Sequence, residues 1–426
     1  MMTPGLYRLL TWMATPLVRP LLERRRRRGK EDAARLNERL GLPARARPEG
    51  QLLWLHGASV GEAQSVLGLI RRLVEQPGLS VMLTTGTVTS AGLMAGRLPA
   101  GAFHQFVPVD QPGAVRRFLD HWRPDAALWI ESELWPNLVL ETVRRGIPMA
   151  LVNGRMSEAS AKGWRKRPRL IRPLMKAFRF VAAQSAADGE RFRALGAADV
   201  RLLGNLKFDA PALGADAAAL ATLAAQAGER PRWLIASTHK GEEALAGRVH
   251  AALKARWPDL LTLIVPRHPE RGEDVAAELA ALGLVVARRR SGEPIAAGTD
   301  VYVADTIGEL GLFYRLSPIA VMGGSLVPHG GQNPLEPARL GCALITGPYM
   351  GNFAEVMDSL RAGHAVTEVA DEAALGTLIG DLLADDARVA VLGAAASTVA
   401  TAGDGVVDRV LAAVRELPGL DLRAGA

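Results

Sequence analysis

The chain has one cysteine, Cys342, in 426 residues. That excludes an internal disulfide framework and suits a reducing compartment such as the cytoplasm. No thiol or metal motif surrounds Cys342, which reads as a small buried hydrophobe. Aromatic residues make up 5% of the chain, with only four tyrosines. The aromatic-and-basic interleaving of RNA-binding sheets is missing, so no nucleic-acid partner is expected. No Asp-x-Asp triplet occurs and the histidines are too scattered for a helical zinc site, so no metal is expected. Neither a Walker P-loop nor a spaced dinucleotide fingerprint is present. An unbroken apolar run at the N-terminus is also lacking. Leu6 to Leu22 is interrupted by Arg8, Pro16, Arg19 and Pro20, and is too short and broken to span a bilayer. A cleaved signal peptide is not expected, because the basic run follows the apolar part and no small-residue cleavage site appears.

What is there is a globular, Ala/Leu/Val-rich chain, 49% hydrophobic, with a net charge of +7. Its length exceeds one ordinary core, so two domains are expected. The positive balance points to anionic partners. At the N-terminus, Leu, Trp and Met precede the run Arg24 to Arg28. This pattern predicts an interfacial anchor whose apolar side enters the headgroup boundary while the arginines meet anionic lipid. A solvated basic helix and a nucleic-acid arm are the alternatives.

Short apolar runs alternate with helix-length segments. In the first half they fall at 51–56, 80–85, 126–131, 148–153, 180–184 and 200–205. After an Ala-rich stretch at 210–231 the pattern restarts at 232–238, 260–266, 283–289, 301–305, 318–324 and 343–348. Such alternation predicts βαβ units and two Rossmann-like halves joined near 210–225. The helical tail containing "AAVRELPGL" is expected to finish the second half.

Several strand-to-helix junctions carry candidate chemistry. In "HGASVGEAQSV", Glu62 follows a strand and a turn-prone run, where open α/β sheets bind ligands. Its carboxylate suits a general base, or equally the capping of a helix N-terminus. In "WIESELWPN", Glu131 and Glu133 are two apart and would share one face of an extended segment, which leaves both as candidates. Lys207 in "GNLKFD" could offer a positive charge to phosphate or carboxylate, or be simply solvated. In "VPRHPER" a strand ends at Pro266, and Arg267 could fork onto a phosphate; the alternative is a basic turn facing water. "MGGSLVPHGGQNPLEPARLG" pairs glycines that admit close backbone approach with a helix start. There Asn333 and Glu336 have capping spacing and Pro334 the first helical position; Glu336 could instead accept from ribose hydroxyls. "TIGELGLFY" adds a second loop-to-helix start at Gly308.

Together "HGASVGE", "ESELWPN", "GNLKFD", "ASTHKGEE" with "VPRHPER", and "GGSLVPHGGQNPLEP" resemble the 3-deoxy-D-manno-octulosonic acid (Kdo) transferases of lipopolysaccharide synthesis, in order and over nearly the whole chain. The resemblance implies an α/β GT-B fold: two Rossmann-like domains with a cleft between them, plus an N-terminal membrane-associated helix. It divides the chain into an anchor (1–30), an acceptor-binding domain (31–212) and a CMP-Kdo-binding domain with the C-terminal helix (213–426). It implies an inverting enzyme without metal or cofactor that moves Kdo from CMP-Kdo to lipid IVA at the cytoplasmic side of the inner membrane. By the same resemblance Glu62 is the general base, and Glu131 and Lys207 stabilise the transition state. CMP contacts fall on Pro266 and Arg267, on Ile307, Gly308 and Glu309, and on Asn333, Pro334, Leu335 and Glu336. Gln332 stands where many relatives have histidine, and it cannot titrate near neutrality. A UDP-sugar 2-epimerase or another GT-B enzyme is the alternative, since fold alone fixes no chemistry.

Overall fold

A computed structural model describes residues 2–209 and 212–422; residues 210 and 211, in the expected join, lie outside the described residues. The chain forms two compact units, Met1–Ala210 with Gly403–Ala426, and Pro211–Ala402.

Unit 1 is built on seven parallel strands: β1 (Gln51–His56), β2 (Leu79–Thr85), β3 (Ala102–Phe106), β4 (Ala126–Ile130), β5 (Met149–Gly154), β6 (Val181–Ala183) and β7 (Val200–Leu202). They lie in the order β3-β2-β1-β4-β5-β6-β7. Strand β1 shows why the sequence demands two covered faces. Leu53 and Leu55 join one apolar layer with Ile70 and Leu73, while Leu52 and Trp54 join the opposite one with Phe118 and Leu174. A run that is apolar at every position is the signature of a strand buried on both sides.

Unit 2 repeats the plan with β8 (Arg232–Thr238), β9 (Leu261–Pro266), β10 (Val286–Arg288), β11 (Val301–Val303), β12 (Ile319–Met322), β13 (Ala343–Thr346) and β14 (Val366–Glu368), ordered β10-β11-β9-β8-β12-β13-β14. In both sheets the order reverses beside the first strand, at β1/β4 and at β8/β12. Those switch points open the crevice where ligands bind in such folds.

Three expectations are corrected. Strands β3 and β14 are edge strands whose polar content hid them: "AFHQF" mixes His104 and Gln105 into the run, and "VTE" is short and largely open to solvent. The helical tail does not finish the second half. Val406, Val407, Val410, Leu411 and Val414 pack into the apolar layer that holds Leu53 and Leu55, so the helix Val406–Arg415 belongs to unit 1. Residues 1–30 do not stand apart as a domain either. They form two helices, Pro4–Met13 and Thr15–Arg27, and the first packs on unit 1 through Tyr7, with Met2 just before it. Among the described residues, one helical stretch, Asp386–Arg415, is long and apolar enough to cross a membrane. It is broken at Gly405 (φ +74°), and its second part supplies the core contacts just given.

Candidate active site

In unit 1 Glu62 and Glu131 follow β1 and β4 at the switch point, and Lys207, after β7, reaches Glu131; in unit 2 Arg267 and residues 333–336 follow β9 and β12, while residues 307–309 follow β11, two strands away from β8. In unit 1, β1 runs into the loop 57–59 and the short helix Val60–Ser65, with Ser59 as its N-cap. Ser59 Oγ accepts from the Glu62 N–H at 3.2 Å and donates to Glu62 Oε1 at 2.7 Å, while the Ala58 N–H donates to Oε2 at 2.7 Å. The capping geometry is therefore realised. The same carboxyl is buried, and desolvation raises its pKa to about 7 against the pull of the Ser59 and Ala58 hydrogen bonds; the charges of Glu133 and Glu131 raise it further. A carboxyl poised near neutrality suits general-base work. His56, at the end of the same strand, is fully buried, hydrogen-bonded to Thr84 Oγ1, and pushed down to about 3, so it stays neutral inside the fold.

On the neighbouring strand the two glutamates part company. Residues 131–132 form a turn, not the extended segment the spacing argument assumed, and Glu131 has φ +59°. A left-handed glutamate costs on the order of 1–3 kcal/mol and persists only where its surroundings hold it. Glu131 Oε1 accepts from Lys207 Nζ at 3.1 Å, whereas Glu133 Oε2 accepts from the Trp135 indole at 2.8 Å. Lys207 is thus an ion-pair partner rather than a solvated lysine. Its turn is fixed by amides: Asn205 Oδ1 accepts from the Lys207 N–H and Asn153 Oδ1 from the Leu206 N–H, both at 2.9 Å. Asn153, at the end of β5 and left-handed (φ +53°), went unremarked in the sequence, where it read as the last residue of an apolar run.

In unit 2, β9 ends at Pro266 and the exposed Arg267 follows, its N–H bonded to Thr238 O at 3.0 Å. Arg271 points elsewhere, to the buried Glu243 at 2.8 Å. Glu309 stands at the N-cap position of the helix Leu310–Leu316 without a side-chain capping bond, and its carboxylate accepts a forked pair from Arg289 at 2.6 and 3.1 Å, which holds it below the ordinary range. Beside it Gly308 takes φ +86° and Ile307 is 87% exposed. The short helix Leu335–Arg339 begins one residue later than predicted. Pro334 is the cap, and Asn333 both accepts from the Leu335 N–H at 3.2 Å and donates to Glu336 Oε1 at 3.3 Å. Burial raises the Glu336 pKa, with Arg267 opposing.

The switch point of unit 2 is organised by a residue that had no separate role in the sequence reading. Fully buried Glu242 accepts from the His239, Gly324 and Leu326 N–H groups at 2.9, 2.7 and 3.0 Å, tying the β8 loop to the β12 loop. At Gly323 a Cβ would meet Ser237 O at 2.3 Å, so the close approach requires glycine. His239 stacks on His329 (3.6 Å between centroids) and lies 3.1 Å from Gln332 Nε2. Desolvation and the neighbouring His329, His268 and Arg267 lower it to about 4. A neutral His239 can accept from the Gln332 amide, which gives that glutamine a neutral partner.

Two surfaces accompany the site. The helix Pro4–Met13 turns Tyr7 and Thr11 toward the body and leaves Leu9, Leu10, Trp12 and Met13 exposed. A basic surface, unnoticed in the sequence, runs through 162–179: Lys162, Lys166, Arg167, Arg169, Arg172 and Lys176 are exposed, and the segment has no acidic residue. Its apolar side, Leu170, Ile171, Leu174 and Met175, is buried in the core. Among the described residues no group of three or more His, Cys, Asp or Glu is placed to hold a metal ion.

Comparison with known proteins sets this geometry in context. A family model described as 3-deoxy-D-manno-octulosonic-acid transferase (kdotransferase) matches residues 34–210. The chain is 36% identical over 392 residues to the probable mitochondrial 3-deoxy-D-manno-octulosonic acid transferase of Arabidopsis thaliana, covering 89% of this chain and 88% of that one. It is 37% identical over 385 residues to the 3-deoxy-D-manno-octulosonic acid transferase of Haemophilus influenzae, covering 88% and 90%. Among solved structures, UDP-GlcNAc 2-epimerase from Neisseria meningitidis bound to UDP-GlcNAc matches with a TM-score of 0.51 over 86% of this chain and 100% of that one, at 12% identity. That likeness shows the fold alone. The paired parallel-sheet units are similar to GT-B glycosyltransferases.

Proposed function

The chain belongs to the 3-deoxy-D-manno-octulosonic acid transferase family and is by that membership a Kdo glycosyltransferase, and from this premise we propose that it transfers Kdo from CMP-Kdo to lipid IVA with inversion and without a metal. The observation that carries the mechanism is Glu62, a buried carboxyl with a pKa of about 7 at the β1/β4 switch point, electrostatically coupled to Glu131, which pairs with Lys207. Glu62 takes the proton of an acceptor hydroxyl as its oxygen bonds to the anomeric carbon. The bond from that carbon to the CMP phosphate oxygen breaks on the opposite face, and CMP leaves as an anion. Lys207, steadied by Glu131, offsets negative charge at the reacting centre.

Pro266 and Arg267, Ile307 to Glu309, and Asn333 to Glu336 form the donor site, with Arg267 forking onto the phosphate. Unit 1 takes the acceptor and unit 2 the nucleotide sugar. The exposed apolar ridge of Pro4–Met13 and the basic helix Pro168–Lys176 support a membrane-surface location, since lipid covers the first and anionic headgroups attract the second. The side is the cytoplasmic one of the inner membrane.

The test is transfer by the purified protein from CMP-Kdo, generated in situ, to lipid IVA in detergent, read by mass spectrometry. The lipid should gain one or more Kdo masses. A folded, CMP-binding protein that leaves lipid IVA unchanged would contradict the acceptor.

A further inference from the structure

The loop that carries Glu131 ends in a helix with no cap of its own. The N-cap of Pro136–Arg144 is Trp135, whose side chain makes no capping bond. Asp110, 9% exposed and distant in sequence, supplies the cap instead: its carboxylate accepts from the Asn137 N–H at 3.2 Å and the Leu138 N–H at 2.8 Å. The same carboxylate accepts from the Tyr7 hydroxyl at 3.0 Å. The Asn137 amide donates to Thr11 Oγ1 at 2.8 Å and to Asp110 O at 2.7 Å, and Gln111 Nε2 donates to Thr15 Oγ1 at 2.8 Å. The N-terminal helix therefore bonds on its polar side to the two residues that hold the helix start. The other end of the loop is held by the Glu131 N–H on Val152 O at 3.1 Å and by the Lys207 ion pair. Only residues 132–135 lie between the two fixed ends.

We propose that the helix Pro4–Met13 is a positioning element for the Glu131 loop, acting through Tyr7 and Thr11 on Asp110 and Asn137. An anchor needs only the outward apolar side of this helix, and that side leaves Tyr7 and Thr11 without purpose. Their contacts give the segment a second task. Release of the helix from the body loosens the Asn137 end of the loop, and Glu131 and Lys207 lose the fixed geometry that transfer requires. A displacement of about 1 Å in such a group can cost on the order of 100-fold in rate.

The inference rests on the transferase reading, so its test has one arm that does not. In the full chain, Tyr7→Phe combined with Thr11→Val removes both contacts and keeps the apolar ridge. With acceptor in detergent, where anchoring is not limiting, kcat should fall roughly tenfold or more while KM for CMP-Kdo stays unchanged. Amide hydrogen exchange should quicken in the peptide spanning 131–140, where the Asn137 and Leu138 N–H groups bond to Asp110. Thr11→Ser alone, which keeps the hydroxyl, should behave as wild type in both assays. Unchanged kcat in the double variant, or a fall in kcat without faster exchange at 131–140, overturns the proposal. If the wild-type chain transfers no Kdo, the transferase reading has failed, and the exchange arm alone decides whether the helix orders the loop.

Discussion

Glu62 is under opposing influences, and their balance sets its chemistry. Two hydrogen bonds favour its charged form, while burial and two nearby carboxylates favour the neutral one and win, leaving it near 7. The folded pKa lies above the ordinary value of 4.5, so the folded chain keeps a proton that the unfolded chain has lost between those two points. This group's contribution to stability therefore falls as pH rises from about 4.5 to about 7, and Glu62→Gln should flatten that part of a stability-versus-pH curve measured by urea unfolding. Arg267 belongs to the same scale. On its proposed role at the CMP phosphate, Arg267→Ala would remove a charge-assisted contact of roughly 1.5–3 kcal/mol, so calorimetry should show CMP binding at least tenfold weaker; equal affinity would take Arg267 out of the donor site. Chain chemistry singled out Glu62, Lys207 and Arg267 as candidates, because each lies at the end of an apolar run or in the turn region that follows one. It could not separate Glu131 from Glu133, since the choice depends on a left-handed backbone and on a lysine far along the chain.

Among the elements, the paired loops after β8 and β12 depend on backbone proximity rather than on side-chain packing. Gly323→Ala places a methyl against Ser237 O, a backbone atom with no room to retreat. Overpacking of this kind costs roughly 1–3 kcal/mol, so the variant should lose several-fold in CMP affinity and melt lower in its second unit. A variant with native melting and native affinity would show that the loops relax freely. The central strands were legible because strands covered on both faces are apolar throughout. Edge strands β3 and β14 were not, because an edge tolerates the polar residues that break the pattern. Glu242 escaped for a related reason: a buried carboxylate that serves three backbone N–H groups looks, in sequence, like any helix-start glutamate.

At the level of the whole molecule, the chain leaves unit 1 after residue 210 and returns to it after 402. That return was invisible in the pattern, since an amphipathic helix does not declare which sheet it covers. Deleting 404–422 would strip Val406, Val407, Val410, Leu411 and Val414 from the unit 1 core. Each is worth roughly 1.5–3 kcal/mol when buried, a total on the order of a whole domain's stability. Calorimetry of the truncated chain should lose the unit 1 transition and keep that of unit 2; loss of the unit 2 transition alone would contradict the assignment. The most direct test of the central claim is the pH dependence of single-turnover Kdo transfer to lipid IVA, for wild type and Glu62→Gln. General-base catalysis by Glu62 predicts a rate that rises about tenfold per pH unit below about 7 and then levels, and a variant slower by roughly 10²–10⁴-fold that still binds CMP. A Glu62→Gln protein that transfers Kdo at the wild-type rate would contradict it.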